Sequence, residues 1–251
     1  MNISVILAGG TGSRLGSDIP KQYLKAGDKM IIEYCIDTIL ENDNVDSLVI
    51  VADEMWREDI TSAVISNSSA AEHWQNKFVG FSTPGANRQL SIWNAMQDIR
   101  HYVSDMSKTI NDIHPNVDNT VLIHDAARPG LTAELLDSMY LAIAGHDGVM
   151  PILPMKDTVY LCDNGNNISG LLDRSKVFAG QAPELFKFEP YYNACEALLP
   201  DKILVINGST EPAIIAGMDI VTIPGDEGNY KITTKVDLDE FIKQLSVTEI
   251  K

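Results

Sequence analysis

Residues 2–23, NISVILAGGTGSRLGSDIPKQY, join a short apolar run to a glycine-rich turn. The run Ile3–Leu7 predicts the first strand of an α/β domain because it is short and rich in Ile and Val. A glycine-rich turn after such a strand commonly lets backbone N–H groups approach a phosphate. Arg14 and Lys21 add two cations to the same stretch. We therefore expect an α/β fold with a phosphate site near the N-terminus.

The glycine spacing departs from two well-known phosphate-binding patterns. A P-loop requires Gly-Lys-Ser/Thr, and the sequence contains no such triplet. The dinucleotide pattern G-x-G-x-x-G matches Gly10 and Gly12 but meets Leu15 where its third glycine belongs. The remaining interpretation is that Arg14 and Lys21 bind a triphosphate at this turn. The alternative is an ordinary tight turn that carries two surface cations.

Strand-like and helix-like stretches alternate along the rest of the chain. This alternation indicates βαβ units and therefore a Rossmann-like, mainly parallel sheet with helices on both faces. The predicted strands are 3–7, 47–52, 77–81, 120–124, 148–153 and 219–223, and the predicted helices are 31–40, 54–66, 88–103, 132–144, 190–199 and one from about 235. No repeat or linker interrupts the pattern, so we expect residues 1–251 to form a single domain.

The pattern changes between Met155 and Gly180. Two short β-like stretches flank the turn 163–167, DNGNN, which is a strong hairpin signal. We predict a β-arm of approximately residues 155–180 that projects from the domain.

Composition excludes several classes of protein. The formal net charge of −16 disfavours a general nucleic-acid binder, and no apolar run is long enough to span a membrane. The three separated cysteines are typical of reduced thiols, and the N-terminus lacks an export signal. We expect a cytoplasmic protein with neither nucleic-acid nor membrane partners.

The stretch His124–Gly130, HDAARPG, ends a predicted strand, where ligands of open α/β sheets usually bind. Asp125 is suited to orient a metal or a sugar hydroxyl, and Arg128 to pair with a phosphate. A helix entry with a hydrogen-bonded aspartate is the alternative. His124 is read as a packed residue at the end of the strand.

Two further stretches are candidate sites. Thr83–Ser91, TPGANRQLS, is a glycine turn that opens a helix, and its amides and Ser91 are placed to contact a base, a ribose or a phosphate. Gly228–Thr234, GNYKITT, puts Lys231 among β-branched residues, which is unusual for a solvated lysine. The alternative for Thr83–Ser91 is a plain helix cap. The alternative for Gly228–Thr234 is a stretch with ordinary surface charges.

Taken together, these motifs resemble those of one family, the small cytidylyltransferases. The matching segments, in the order and approximate spacing of the family, are LAGGTGSRLGSDIPKQYL at 7–24, HDAARP at 124–129, KDTV at 156–159, DRSKVFAGQAP at 173–183 and NYKITTKVDLDEF at 229–241. The family includes 2-C-methyl-D-erythritol 4-phosphate and ribitol-5-phosphate cytidylyltransferases. The resemblance covers essentially the whole chain.

The resemblance implies transfer of CMP from CTP to a small polyol phosphate, with Mg²⁺, to give a CDP-polyol and pyrophosphate. It also implies a homodimer formed through the arm. Such an enzyme serves isoprenoid precursor synthesis if the acceptor is methylerythritol phosphate, and teichoic-acid or capsule assembly if it is ribitol or glycerol phosphate.

The resemblance also implies roles for individual residues on the nucleotide side. Backbone amides approach the nucleotide at Ala8, Gly9, Gly10 and Gly12. The catalytic cations are Arg14 and Lys21 on the triphosphate and Lys231 near the α-phosphate. Cytosine and ribose are recognised at Gly85, Ala86 and Ser91.

On the acceptor side, the residues between nucleotide and polyol are Asp125, which is also the candidate metal ligand, Ala126 and Arg128. Arm residues that reach the polyol phosphate of the neighbouring subunit are Thr158 and Arg174. Further candidate substrate-binding residues are Ser209 and Thr210.

The sequence departs from the family pattern at three places. Relatives usually carry Thr-Pro-Gln where this chain has Ala182-Pro183-Glu184, and a Thr-Asp-Glu-Ala-like segment appears here as 207–213, NGSTEPA. Ala86 replaces an acidic residue of the cytidine loop. The first two changes fall on the acceptor side, so they favour ribitol, glycerol or another polyol phosphate over methylerythritol phosphate.

Three rival hypotheses remain open. One is an NAD-dependent oxidoreductase, against which the imperfect glycine pattern counts. A second is a non-catalytic dimer that assembles through the arm. The third keeps the fold and the chemistry but uses a different nucleoside triphosphate.

Overall fold

The computed structural model describes residues 1–10, 19–66, 68–109, 119–163 and 165–248. The strands are β1 Asn2–Leu7, β2 Lys25–Ala26, β3 Lys29–Met30, β4 Ser47–Val51, β5 Phe78–Ser82, β6 Thr120–Asp125, β7 Gly148–Pro154, β8 Tyr160–Asp163, β9 Asn167–Leu171, β10 Phe178–Gly180, β11 Glu184–Lys187 and β12 Ile220–Pro224. The helices are α1 Ile31–Glu41, α2 Glu54–Ser66, α3 Ser68–Lys77, α4 Arg88–Thr109, α5 Ala133–Ala142, α6 Phe188–Glu196, α7 Glu211–Ile215 and α8 Lys235–Thr248.

The centre of the fold is an eight-stranded sheet in the order β10-β7-β11-β6-β1-β4-β5, in which β12 also pairs with β7. Strands β6, β1, β4 and β5 are mutually parallel, and β12 is parallel to β7. The predicted Rossmann-like, mainly parallel sheet is therefore confirmed. From β1 the chain winds through β4 to β5 and then returns to β6 on the other side of β1, which makes the β1–β6 boundary the topological switch point.

Two antiparallel strands inside this sheet are absent from the sequence prediction. Strand β11 lies between β6 and β7 and is antiparallel to both, and β10 is antiparallel to β7. Both are short, and Gln181–Pro183 separates them. Each segment alone is too short to show the period-2 alternation that identifies a strand.

Alternating side chains of the central strands build a hydrophobic core on each face of the sheet. On β1, Ile6 packs with α1, α2 and α5, whereas Ile3 and Val5 pack with α4 and α6. The same alternation separates Leu122 from Ile123 on β6. Because successive strand residues point to opposite faces, a strand buried on both sides is apolar at consecutive positions.

Helix α3 was also missed by the sequence prediction. Its sequence SSAAEHWQNK is mostly polar, so no apolar period marks it as a helix. Trp74 anchors it, because its ring stacks on that of Phe78 with a centroid distance of 3.8 Å.

Strands β8 and β9 form a separate two-stranded sheet within the predicted arm. Both strands are largely exposed, and the apolar side chains that are at least half exposed are Tyr160, Leu161, Ile168 and Leu171. No helix within the described ranges has both the length and the apolar character required to cross a membrane.

Candidate active site

A cavity of about 480 Å³ opens at the carboxyl ends of β1 and β6, beside the switch point. Three of the predicted stretches supply most of its wall: the glycine-rich turn, the loop before α4 and the end of β6. The described residues that line it are Leu7, Gly9, Gly10, Lys21, Gln22, Gly85, Ala86, Asn87, Arg88, Ser91, Asp125, Ala126, Ala127, Lys231 and Thr233.

The Asp125 carboxylate, at the last position of β6, is the centre of the charged wall. Its Oδ1 accepts a hydrogen bond from Arg88 Nη2 at 2.8 Å, and its Oδ2 accepts from Lys231 Nζ at 2.9 Å. Arg128 Nε lies 3.4 Å from the same Oδ2. One buried carboxylate is thus shared by three cations from three different parts of the chain.

These contacts control the ionisation of Asp125. Burial alone would raise its pKa, but the positive charges of Arg88, Lys231 and Arg128 outweigh burial and hold the pKa well below the usual range. Asp125 is therefore a carboxylate at neutral pH. The group beside it, His124, is fully buried, and burial lowers the pKa of its imidazole to about 4. His124 does not line the cavity, which agrees with the reading of a packed residue.

Backbone contacts fasten the segment after β6 to the segment before α8. Ile232 N donates to Ala127 O at 2.8 Å, and Arg128 Nη1 donates to Asn229 O at 2.9 Å. Lys21 Nζ in turn donates to Ile232 O at 2.6 Å. These bonds bring Lys21 and Lys231 to the same cavity, although 210 positions separate them in the sequence.

The glycine-rich turn is held from behind by a 3₁₀ turn, Lys21–Tyr23. Gln22 Nε2 donates to the carbonyl oxygens of Ala8 and Gly10, at 2.5 and 2.7 Å, and Tyr23 OH donates to Ala8 O at 2.9 Å. Ala8 does not line the cavity, and its N–H donates to Val51 O. The predicted amide contact of Ala8 is thus already made within the protein, whereas Gly9 and Gly10 face the cavity.

The loop before α4 has a fixed shape. Asn87 caps the helix through Oδ1, which accepts from Leu90 N at 2.8 Å. Ser91 Oγ donates to Asn87 O and accepts from Gly85 N at 3.0 Å. A Cβ at Gly85 would lie 2.6 Å from the backbone of Leu90, so this close approach requires glycine. Gly85, Ala86 and Ser91, all predicted to read the nucleoside, are thereby brought to one wall.

The remaining predicted residues, among them Arg128, are not among the described residues that line the cavity. Gly12 and Arg14 are outside the described residues. Thr158 and Arg174 belong to the arm segment and do not line the cavity; Arg174 lines a second hollow at the base of the arm. Ser209 and Thr210 are buried and do not line the cavity either.

Three residues of the site were missed by the sequence analysis. Arg88 lines the cavity and contacts Asp125, yet in the sequence it reads only as the first residue of a helix. Gln22 holds the glycine-rich turn, and its position between Lys21 and Tyr23 is the only signal for it. Glu184 is buried beside Arg88, but in the sequence it was noted only as a departure from the family pattern.

The carboxylates of the cavity decide whether it could hold Mg²⁺. Asp125 is the one carboxylate among the described residues that line the cavity, and no cluster of three or more ligating side chains exists in the part of the chain that the structure describes. Mg²⁺ usually binds through one or two carboxylates together with water and substrate phosphates. A single carboxylate fits that mode, but its two oxygens already accept hydrogen bonds from Arg88 and Lys231, so an ion held mainly by substrate phosphates would share or replace these contacts.

A cationic cavity at the switch point of an α/β sheet, with Gly9 and Gly10 of the glycine-rich turn in its wall, is typical of a nucleotide-binding protein. The comparisons with known proteins agree. The family model described as IspD, 2-C-methyl-D-erythritol 4-phosphate cytidylyltransferase, matches residues 2–243, and the chain belongs to this family. The predicted resemblance to the small cytidylyltransferases is thus confirmed.

Two relatives and one solved structure illustrate the similarity. Ribitol-5-phosphate cytidylyltransferase of Streptococcus pneumoniae is 27% identical over 237 residues, which are 93% of this chain and 94% of that protein. The bifunctional enzyme IspD/IspF of Maricaulis maris is 27% identical over 246 residues, which are 96% of this chain and 56% of that protein, so the chain spans about half its length. The crystal structure of 4-diphosphocytidyl-2C-methyl-D-erythritol synthase from Anaerococcus prevotii has a TM-score of 0.76 at 21% identity, covers 98% of this chain and 96% of its own, and supports the fold.

Proposed function

We propose that this protein transfers CMP from CTP to the phosphate of a small polyol phosphate and releases pyrophosphate. The observation that carries this proposal is the cationic wall around Asp125. In a chain of formal charge −16, Lys21, Arg88 and Lys231 line one cavity. Such a local reversal of charge attracts a polyanion.

The reaction requires little acid–base chemistry from the protein. A phosphate monoester has a second pKa of about 6, so the acceptor is largely a dianion at neutral pH and needs no general base. Its oxygen attacks the α-phosphorus of CTP in line, and pyrophosphate leaves. The protein must position two polyanions and stabilise the charge that spreads over the phosphoryl oxygens.

The described residues divide this work between them. The amides of Gly9 and Gly10 and the Lys21 ammonium approach the triphosphate, and the wall of Gly85, Ala86 and Ser91 receives the nucleoside. Lys231 stabilises charge at the α-phosphate. Mg²⁺, bound with CTP, would neutralise part of the triphosphate charge beside Asp125.

A pyrophosphate-release screen tests this proposal. CTP and Mg²⁺ are supplied with methylerythritol, ribitol, erythritol, xylitol or glycerol phosphate, and the other three nucleoside triphosphates are tested in parallel. We expect release with CTP and one polyol phosphate, and ribitol or glycerol phosphate is favoured because Ala182 lacks the hydroxyl of the usual Thr. A preference for UTP would contradict the cytidylyl assignment. Binding of a nicotinamide nucleotide without CTP turnover would support the oxidoreductase instead.

We also propose that the protein is a cytoplasmic homodimer, because its proposed donor CTP is a cytoplasmic metabolite and the arm presents exposed apolar side chains on both strands. A second copy is the proposed occupant of this surface, since Thr158 and Arg174 need a neighbouring cavity in order to reach a substrate. The hollow at the base of the arm contains Lys156 and Arg174, two cations suited to the phosphate of the acceptor.

The arm gives a direct prediction. Ile168→Asp places a charge on its exposed apolar surface, so we expect the dimer to dissociate and turnover to fall with it. Analytical ultracentrifugation measures the mass, and Ile65→Asp, an equally drastic change at an exposed position of α2, serves as the control. A variant that remains dimeric would show that the arm is not the interface.

A mixing experiment distinguishes a shared site from a self-contained one. Lys231→Ala and Arg174→Ala subunits are combined in equal amounts and allowed to exchange. If Arg174 serves the neighbour's cavity, half of the dimers are mixed and each has one intact site of two, so roughly a quarter of wild-type activity returns. No recovery would mean that each subunit is complete by itself.

A further inference from the structure

The two acceptor-side departures from the family pattern meet in the structure. Glu184 belongs to the segment that replaces Thr-Pro-Gln, and Ser209 to the segment NGSTEPA. Ser209 Oγ donates to Glu184 Oε1 at 2.7 Å. Both residues are buried, with 7% of Glu184 and 1% of Ser209 exposed. Residues of the two departing segments, 25 positions apart in the sequence, are therefore in direct contact.

Both residues also contact Arg88. Its Nη1 donates to Ser209 Oγ at 3.1 Å, and its Nη2 lies 3.9 Å from Glu184 Oε2. The same Nη2 donates to Asp125 Oδ1. Because a guanidinium is a rigid planar fork, contacts at both of its amino groups fix its orientation as well as its position.

Glu184 does not line the cavity, and neither does Ser209, whereas Arg88 does. Arg88 is therefore the direct contact between this pair and the cavity. The Oε2 atom of Glu184 has no hydrogen-bond partner among the described residues. This oxygen lies behind the guanidinium of Arg88. It can hold Nη2 of Arg88 when a substrate phosphate competes with Asp125 for that amino group.

We propose that Glu184 and Ser209 are positioning residues that orient Arg88 toward the acceptor phosphate. This inference rests on the proposed cytidylyl transfer. It gives Ser209 a different role from the expected one, in which the residue acts through Arg88 instead of by direct contact with the substrate.

Because Glu184 can gain a proton, its effect on Arg88 should depend on pH, which the effect of a purely structural contact would not. Burial raises the pKa of Glu184, Arg88 and the Ser209 hydrogen bond oppose that rise, and the negative charge of Asp125 adds to it. The other titratable or charged groups near it are Arg128 and Tyr191. Proton uptake by Glu184 therefore makes the environment of Arg88 more positive, and a glutamine cannot reproduce this change.

The test compares Glu184→Gln, Ser209→Ala and the double variant with the wild type, using CTP and the acceptor found in the screen. Glu184→Gln keeps the shape of the side chain and removes the charge. We expect each single variant to lower kcat/KM for the acceptor about 10-fold, with CTP-induced thermal stabilisation retained. The double variant should be no worse than Glu184→Gln, because both residues act on one guanidinium. The dependence of kcat/KM on pH should lose its glutamate-linked step in Glu184→Gln.

Two controls make the result decisive. Glu196→Gln is the same substitution at an exposed position of α6 and should leave every parameter unchanged. A thermal melt shows that each variant is folded. Normal acceptor kcat/KM with an unaltered pH profile in Glu184→Gln, or fully additive losses in the double variant, would overturn the inference while the proposed function stands. A wild type without CTP-dependent turnover would overturn the proposed function and this inference with it.

Discussion

Lys231→Ala is expected to lower kcat by at least ~10²-fold, the size of loss seen when a preorganised charge-stabilising donor is removed. Lys231 Nζ is already fixed at the cavity wall by its 2.9 Å bond to Asp125, so it is preorganised before the substrates bind. Its removal also leaves Asp125 with one cation fewer, and the site becomes less favourable to any polyanion. Single-turnover measurement with saturating CTP isolates the chemical step from binding.

The interpretation of this variant depends on two companions. Lys231→Met keeps most of the side-chain volume without the charge and should be nearly as impaired. Lys235→Ala removes an exposed lysine at the start of α8, outside the cavity, and should behave as the wild type. A kcat for Lys231→Ala within a few-fold of the wild-type value would mean that this lysine does not act at the reacting phosphate.

The second large effect is expected on stability. Asp125→Asn removes the carboxylate that three cations share, and loss of one partner from a buried ionic group typically costs about 3–5 kcal/mol. We therefore expect a marked fall in the free energy of unfolding at neutral pH, together with loss of turnover. Urea denaturation measures the former. Asp239→Asn, on the exposed surface of α8, makes the same change in net charge and should cost little.

The pH dependence of this difference follows from the lowered pKa of Asp125. Its contribution is fully present above the unfolded pKa, near 3.9, and is lost as the pH falls toward the lower folded value. The gap between wild type and Asp125→Asn should thus be constant from about pH 5 to 7 and narrow below about pH 4. A gap that widens in acid would show that the three cations do not stabilise the ionised carboxylate.

The parts of the fold that were predictable are those with long and uniform local patterns. Residues 3–7 and the centre of β6 are short, mostly apolar runs, and α1 has a strong apolar face, so these local patterns predict them. The pair β10 and β11 was not predictable, because each is short and its pairing depends on contacts with β7 that are remote in sequence. Helix α3 has a tryptophan in contact with β5 but too few apolar residues to be recognised.

The residues of the candidate site also divide into those that the sequence predicts and those that it does not. Asp125 and Lys231 were identified because each is a charged residue next to an apolar or β-branched run, an arrangement that needs an explanation. Arg88 was not, since an arginine in the first turn of an amphipathic helix is ordinary on the surface. Its role depends on its contacts with Asp125, Ser209 and Glu184, and only the tertiary structure brings these residues together.

The bond from Lys21 to the carbonyl of Ile232 has a consequence for how the protein is synthesised. The N-terminal turn leaves the ribosome long before Lys231 does, and domains of this size gain their long-range contacts late in folding. A nascent chain that lacks the segment before α8 has the start of the glycine-rich turn but neither the opposite wall of the cavity nor the Ile232 carbonyl that holds Lys21. Nucleotide capture therefore begins only after almost the entire polypeptide has been made, and chains that stop short are expected to leave cellular CTP untouched.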